Sequence, residues 1–261
     1  MTQTRLFLAV IFLLALLPGA GSSDRTFDAL NPIFLHGEEL IYEVAWMGIT
    51  AGTITMRIAD QGEFESTPAY RAEVVGETTP GFSRFFKVQD VIISIFSKST
   101  LDSIYFSKNI REGKYRKYRE TWFDQTRLVA RSDSTLSVTL EHAKDPIACI
   151  FTLRNAPLAE GEVVKLNSHA DGKNFPVEIK VEGREVVTLA SGARSAFLCT
   201  PLPTWEGRVF EKGQSTVTLW VSDDEYRVPL KIRMKVKIGS LNADLVGRRG
   251  PGWEIAREKP L

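Results

Sequence analysis

From Val228 the chain alternates: Val228, Leu230, Ile232, Met234, Val236 and Ile238 are apolar, and Lys231, Arg233, Lys235 and Lys237 stand between them. A period of two rather than 3.6 marks a strand with one buried face. Just upstream, Val217, Leu219 and Val221 alternate with Thr216, Thr218 and Trp220, and Ser222-Asp223-Asp224-Glu225 links the two runs. Short polar side chains bond their own backbone and favour turns, so the pair predicts a hairpin. Burying the six apolar side chains of the second run is worth roughly 10 kcal/mol at about 1.5 to 3 each. An isolated hairpin cannot bury them, so the rest of the chain must supply a facing layer.

The same alternation recurs upstream. Leu40, Tyr42, Val44 and Trp46 form one run, Gly48 breaks it, and Ile54, Met56 and Ile58 resume it after Gly52. Further strands are predicted from Tyr70 to Val74, Val88 to Phe96, Ser103 to Ile110, Tyr115 to Phe123, Leu128 to Ala130 and Leu136 to Leu140. The remaining ones are Val163–Leu166, Val177–Val181, Val186–Leu189 and Ser195–Cys199, the middle pair separated by Glu182-Gly183. Two short helices interrupt them. Phe82, Phe85 and Phe86 have helix-like spacing, and Asp145-Pro146 supplies an N-cap and an N1 proline for Ile147, Ile150, Phe151 and Arg154. A dozen or so strands with glycine-containing turns predict an all-β fold: a curved antiparallel sheet closing towards a barrel, with one or two short helices.

The two ends of the chain change the picture. Arg5, the apolar run Leu6 to Leu17 and Pro18-Gly19-Ala20-Gly21-Ser22 match a secretory signal peptide over residues 1–22, too short to span a bilayer comfortably. Residues 23–36 read as an N-terminal arm, 37–246 as a single β-rich domain, and the Gly-, Arg- and Lys-rich 247–261 as a disordered tail. No later apolar run reaches 18 residues, so no transmembrane span is expected after signal cleavage.

Charge and cysteine content narrow the chemistry. Without Arg5, 32 basic residues face 32 acidic ones, a balance that disfavours nucleic acid as a partner. Cys149 and Cys199 follow export into an oxidising space. A disulfide between them would close a loop of about 50 residues, worth roughly 4 kcal/mol; two separate buried thiols are the alternative.

Signatures of catalysis are scarce. The chain has no GxSxG elbow, Walker A loop, HExxH or CxxC, and His36, His142 and His169 have no metal-ligand spacing. No metal or cofactor is expected. Asp223-Asp224-Glu225 fits a hairpin turn better than a cation loop, whose oxygen ligands alternate. The Lys231, Arg233, Lys235 and Lys237 stripe, about 20 Å long, suits anionic headgroups or, equally, acidic partners on neighbouring strands. Trp46, Trp122, Trp205 and Trp220 can line a cavity in a curved sheet or simply belong to its core.

Taken in order, certain positions form a recognisable set. They are Gly37-Glu38 before Leu40-Ile41-Tyr42, then Trp46, Gly48 and Ala51-Gly52; Asp90 after Phe85-Phe86-Lys87-Val88; Asp145 with Arg154; and Asp171-Gly172-Lys173. Leu219-Trp220-Val221-Ser222-Asp223-Asp224 leading to Arg227-Val228-Pro229 completes it. From about Gly37 to Leu245 this pattern resembles an uncharacterised family of exported bacterial proteins, the domain of unknown function 3108 family. Its most specific part is the Trp-x-Ser-Asp-Asp-x-x-Arg-x-Pro block. The resemblance implies a periplasmic, barrel-like protein of a cell with two membranes, without an established activity. Ala148-Cys149 stands where the pattern has a serine, so no role of that serine carries over.

The leading expectation is a non-enzymatic periplasmic envelope protein that holds a lipid-like or amphipathic ligand in the concavity of its sheet. Trp46 and Trp220 would line the site, and Arg227, Lys231 and Arg233 would meet a negative headgroup. The alternatives are an envelope assembly or scaffold protein acting through protein contacts, and a hydrolase pairing Asp223 or Asp224 with Asp90.

Overall fold

The structure, a computed structural model, describes residues 37–202, 217–235, 239–250 and 252–256. The expected signal peptide and arm, Trp205, and Val236, Lys237 and Ile238 lie outside the described residues.

Fourteen antiparallel strands make one sheet. They are β1 (Glu39–Trp46), β2 (Ile49–Phe64), β3 (Thr67–Thr78), β4 (Gln89–Ser97), β5 (Ser103–Glu112), β6 (Tyr115–Asp124), β7 (Val129–Ser132) and β8 (Thr135–Val138). After helix α1 (Pro146–Asn155) come β9 (Val163–Ala170), β10 (Lys173–Leu189), β11 (Gly192–Pro201), β12 (Val217–Ser222), β13 (Pro229–Lys235) and β14 (Ser240–Arg249). The order across the sheet is β8-β7-β6-β5-β4-β3-β2-β1-β14-β13-β12-β11-β10-β9. Two meanders, each running through consecutive strands, are thus joined where β1 pairs with β14.

The sheet curls without closing into a barrel, because its terminal strands β8 and β9 share no ladder. Other groups bridge that gap. Lys144 pairs in parallel with Ser168 of β9, its N–H donating to the Asn167 carbonyl at 2.8 Å and its carbonyl accepting from the His169 N–H at 2.8 Å. Asn174 Nδ2 donates to the Val138 carbonyl at 3.0 Å, and the Ser137 hydroxyl meets His169 Nε2 at 3.1 Å. Covering an edge in this way satisfies backbone groups that would otherwise attract another strand.

Alternation dictates the faces. Leu40, Tyr42 and Val44 of β1, Val217, Leu219 and Val221 of β12, Leu230 and Met234 of β13, and Leu241, Ala243 and Leu245 of β14 point into one continuous core. On the opposite face Lys231 meets Asp244 of the adjacent strand at 2.9 Å, and Arg233 Nε donates to Asn242 Oδ1 at 3.2 Å. The described part of the cationic stripe is therefore a solvated outer face with polar partners across the ladder.

α1 lies inside the curl, with Pro146 to Arg154 all buried. An α-helix that is apolar on nearly every side can be stable only when protein surrounds it. The contacts of Phe151 with Phe96 of β4, with ring centroids 5.3 Å apart, show one wall against which it packs. The stretch around Phe82 forms only a single 3-10 turn, Phe82–Arg84.

Two sequence expectations are corrected. Val177–Val181 and Val186–Leu189 belong to one strand, β10; Glu182-Gly183 marks a bulge, where the register against β11 shifts between Val181 and Gly183, not a turn. Chain order continues into the predicted tail: β14 runs to Arg249, and Ile255 pairs with Arg248 through two backbone bonds of 3.0 and 3.1 Å. The tail has no periodicity, but Arg248 is buried and its guanidinium stacks 4.6 Å from the Trp253 ring, which holds the segment. Cys149 and Cys199 are free and buried, one on α1 and the other on β11 with its thiol directed at the Phe197 carbonyl.

Candidate functional site

Both ends of α1 are held by residues of the family-like pattern. Asp145 is fully buried, and its Oδ1 accepts the Ile147 and Ala148 N–H groups at 2.8 and 3.1 Å, the cap that starts the helix. Its Oδ2 accepts hydroxyls from Ser94 of β4 and Ser103 of β5, both at 2.6 Å. Burial pushes this carboxyl's pKa up, while the serines and the helix N–H groups pull the other way. One side chain thus both starts the helix and pins it to the wall.

At the other end Arg154 forms a two-pronged pair with Glu38, at 2.7 and 3.1 Å, and Arg248 reaches the same carboxylate at 3.0 Å. All three are buried. Arg154 also donates to the carbonyls of Tyr226 and Arg227 at 3.0 and 3.1 Å, and so ties α1 to the turn between β12 and β13. Gly37, with a left-handed φ of 90°, leads the chain into this position and donates its N–H to the Ile58 carbonyl at 2.7 Å.

The Trp-x-Ser-Asp-Asp block is that turn. Asp224 Oδ1 accepts from the Ser222 hydroxyl (2.7 Å) and the N–H groups of Tyr226 (2.9 Å) and Arg227 (3.2 Å), and Oδ2 accepts the Trp253 indole N–H at 2.7 Å. Ser222 Oγ accepts the Val228 N–H at 2.8 Å. Arg227 adopts a left-handed φ of 47°, unusual for a side-chain-bearing residue, and these bonds hold it there. Its guanidinium lies 4.6 Å from the Phe197 ring and 4.0 Å from Asp223, whose other oxygen accepts Arg184 Nε at 2.7 Å. Pro229 opens β13, and its carbonyl accepts the Tyr42 hydroxyl at 2.9 Å; burial raises that phenol's pKa. Gly52 is a buried position of β2, between Val44 and Thr78.

The five residues nominated as one ligand site, Trp46, Trp220, Arg227, Lys231 and Arg233, do not converge. Trp46 is half-buried on the inner face at the end of β1. Trp220 lies opposite Lys231 in the ladder, on the reverse face from Leu219, with its indole N–H on Glu185 at 2.9 Å. Lys231 and Arg233 share that outer face, and Arg227 is fixed in the turn. The period-two pattern that sends Leu219 inward necessarily sends Trp220 outward.

The carboxylates suggested for hydrolysis are likewise engaged in different places. Asp223 and Asp224 serve the turn, whereas Asp90 on β4 accepts the Arg111 N–H at 2.8 Å. Burial pushes the Asp90 carboxyl up to about 6, against the pull of that bond.

A second cluster, of which the sequence marked only Asp171, lies on the inner face of β5 and β6. Asp171, at the tip of the β9–β10 hairpin, accepts Lys108 Nζ at 2.7 and 2.8 Å, Arg119 Nη1 at 3.1 Å and Lys117 Nζ at 3.3 Å. Burial pushes the Asp171 carboxyl up, but Lys108 and then Lys117 pull harder and hold it at about 2. Lys108 bears the burden of burial, which lowers its ammonium to about 8 despite Asp171. Arg119 pairs with Lys108 across the ladder, a like-charge juxtaposition that needs an anion. Only the topology reveals that anion, 63 residues beyond Lys108.

With this geometry in place, the chain can be set beside known proteins. It belongs to the family described as protein of unknown function (DUF3108), whose model matches residues 41–246. No curated protein matches it. Among solved structures it is similar to a β-barrel-like protein of domain of unknown function DUF1849 from Brucella abortus, at 9% identity and a TM-score of 0.55 over 82% of this chain and 98% of that one. That likeness is one of fold. A protein from Bacteroides fragilis described as exported, with a YmcC-like fold, aligns at 11% identity and a TM-score of 0.36 over 83% of this chain and 97% of that one. Among the described residues, no helix is long and apolar enough to cross a membrane.

Proposed function

We propose that this chain is a non-enzymatic periplasmic envelope protein that binds a lipid-like, amphipathic molecule on the part of its inner face that α1 does not cover. The observation that carries the reading is the gathering of Lys108, Lys117 and Arg119 on the inner face around the carboxylate of Asp171, with Asp133 as a second, more distant anion 3.8 Å from Arg119. At the same end of the strands Trp46, Phe82 and Phe86 are only partly buried against the core. Cations beside apolar surface are what an anionic amphiphile needs. Export is supported by the signal-like residues 1–22. The pattern residues Asp145, Arg154, Glu38, Asp223 and Asp224 support a non-catalytic reading, since each is engaged in holding α1 or its neighbouring turn.

Native mass spectrometry and lipid extraction of protein purified from the periplasm test this. A bound amphiphile lost in Lys117→Ala/Arg119→Ala is expected. Protein that comes out consistently empty sinks the idea.

The assembly reading has one observation in its favour. Leu136 and Val138 on β8 are 67% and 73% exposed, and neighbouring exposed apolar side chains offer another protein a contact surface even where the strand edge itself is covered. Crosslinking in cells from position 136 should then capture one dominant partner; a diffuse pattern counts against it.

A further inference from the structure

We propose that the rim formed by the β1–β2, β3–β4 and β5–β6 connections docks onto the surface of a bilayer containing anionic phospholipid. Strand direction puts all three connections at one end of the sheet, and the order β1-β2-β3-β4-β5-β6 puts them side by side. Each presents a large apolar side chain to solvent: Met47 and Ile49 at 58% and 64% exposure, Phe85 at 89%, and Tyr115 at 40%. An exposed phenylalanine at a loop tip has no role in the fold. Clusters of such residues on one rim mark an interaction surface.

The rim is built to hold them out. Phe82 and Phe86 pack against the core, and the 3-10 turn between them, with Phe85 and Phe86 N–H both on the Phe82 carbonyl at 2.9 and 3.0 Å, leaves Phe85 facing outward. The Gly113 N–H donates to the Lys87 carbonyl at 2.8 Å and the Thr79 N–H to the Ala51 carbonyl at 3.0 Å, fastening each connection to its neighbour. Gly113 has a left-handed φ of 53°, and a Cβ there would come 2.9 Å from the Phe86 ring, so only glycine allows this closeness.

Charge selects the partner. Arg84, Lys87, Arg111, Lys114 and Arg116 are exposed on these connections or within two residues of them, and of the acidic residues in the same stretches Glu77 is exposed while Asp90 and Glu112 are buried, so exposed cations outnumber exposed carboxylates five to one. A protein interface gathers apolar groups at its centre and excludes charge from it. Here single apolar side chains alternate with cations from loop to loop. That arrangement suits a fluid interface, where the apolar groups sink about 5 to 10 Å to the acyl boundary and the cations meet phosphates. The proposal does not depend on any ligand on the inner face.

Sedimentation of the exported protein with vesicles of mixed phosphatidylglycerol and phosphatidylcholine, against phosphatidylcholine alone, tests it. The expected result is binding to the anionic vesicles only, weakening as salt is raised. Lys87→Glu/Lys114→Glu should weaken it at least about 25-fold, at roughly five-fold per cation lost. Ile49→Ser/Phe85→Ser should also abolish sedimentation at low protein concentration. Val186→Ser, an exposed position on β10, should behave as the parent, and circular dichroism checks that every variant folds. Equal binding to both vesicles, binding to neither, or rim variants that bind like the parent would overturn the proposal. So would a photoreactive residue at position 85 that crosslinks in cells to one envelope protein while vesicles are ignored.

Discussion

Glu38 and Arg154, 116 residues apart in the chain, form a two-pronged ion pair with both side chains essentially removed from water, at 2% and 1% exposure. Arg248 shares the carboxylate. Breaking such a pair strands charge in a poor solvent, which costs about 3 to 5 kcal/mol. Glu38→Gln should therefore lower the unfolding free energy from urea titration by that order, because it removes the carboxylate that two buried guanidiniums share. Glu38→Gln combined with Arg154→Met should lose less than the sum of the single losses. Strict additivity would mean that the pair is not coupled.

Asp90 makes stability depend on pH. Its folded pKa of about 6 exceeds the ordinary 3.8, so the native state holds the proton more tightly than the unfolded chain. The resulting contribution is complete below about pH 4 and is lost as pH rises through 6, a change of at most about 3 kcal/mol. Asp90→Asn keeps an acceptor for the Arg111 N–H and cannot ionise. It should raise the melting temperature at pH 8 and leave it nearly unchanged at pH 4, as read by calorimetry at the two values.

Asp171 is the anion for three cations, and one of them, Lys108, is buried. Asp171→Asn should cost about 2 kcal/mol, less than a wholly buried pair because its side chain is 40% exposed. Adding Lys108→Met removes the stranded charge and should recover more than half of that loss. Denaturant titration of the two variants decides it; a double variant no better than the single would show that Lys108 needs no counter-charge.

The two thiols should be silent until the chain unfolds. Burial pushes both Cys149 and Cys199 up to about 12, so almost no thiolate exists at neutral pH. Titration with a thiol reagent should count two slow groups in native protein and two fast ones in urea, and a reductant should leave the melting temperature unchanged. A shift on reduction would reveal a bridge.

Much of the fold was legible because alternation is local: Leu230 and Met234 face the core and Lys231 faces out, as their spacing requires. The helix was legible too, since Asp145-Pro146 combines a cap with a residue that favours the first turn. Its destination was also written in Ile147 to Leu153, which offer almost no polar face to water, a sign of a helix enclosed by protein. The ligand set failed for a related reason. Grouping residues by type put Trp220 with Trp46, when the period of two already placed Trp220 beside Lys231. Arg248 and Trp253 could not be found this way, for Arg248 is fixed by Glu38, 210 positions earlier, and no local pattern encodes such a partner.

The seam between β1 and β14, with Glu39 opposite Arg249, has a consequence for biogenesis. A chain synthesised from its N-terminus exposes one flank of β1 until β14 has been made, and widely separated pairings of this kind assemble slowly. Until then two unzipped ribbons coexist, each with a naked border that welcomes any passing strand. A translation product cut short before Ser240 would stay in that state, which makes truncation a more dangerous lesion for this architecture than most single substitutions.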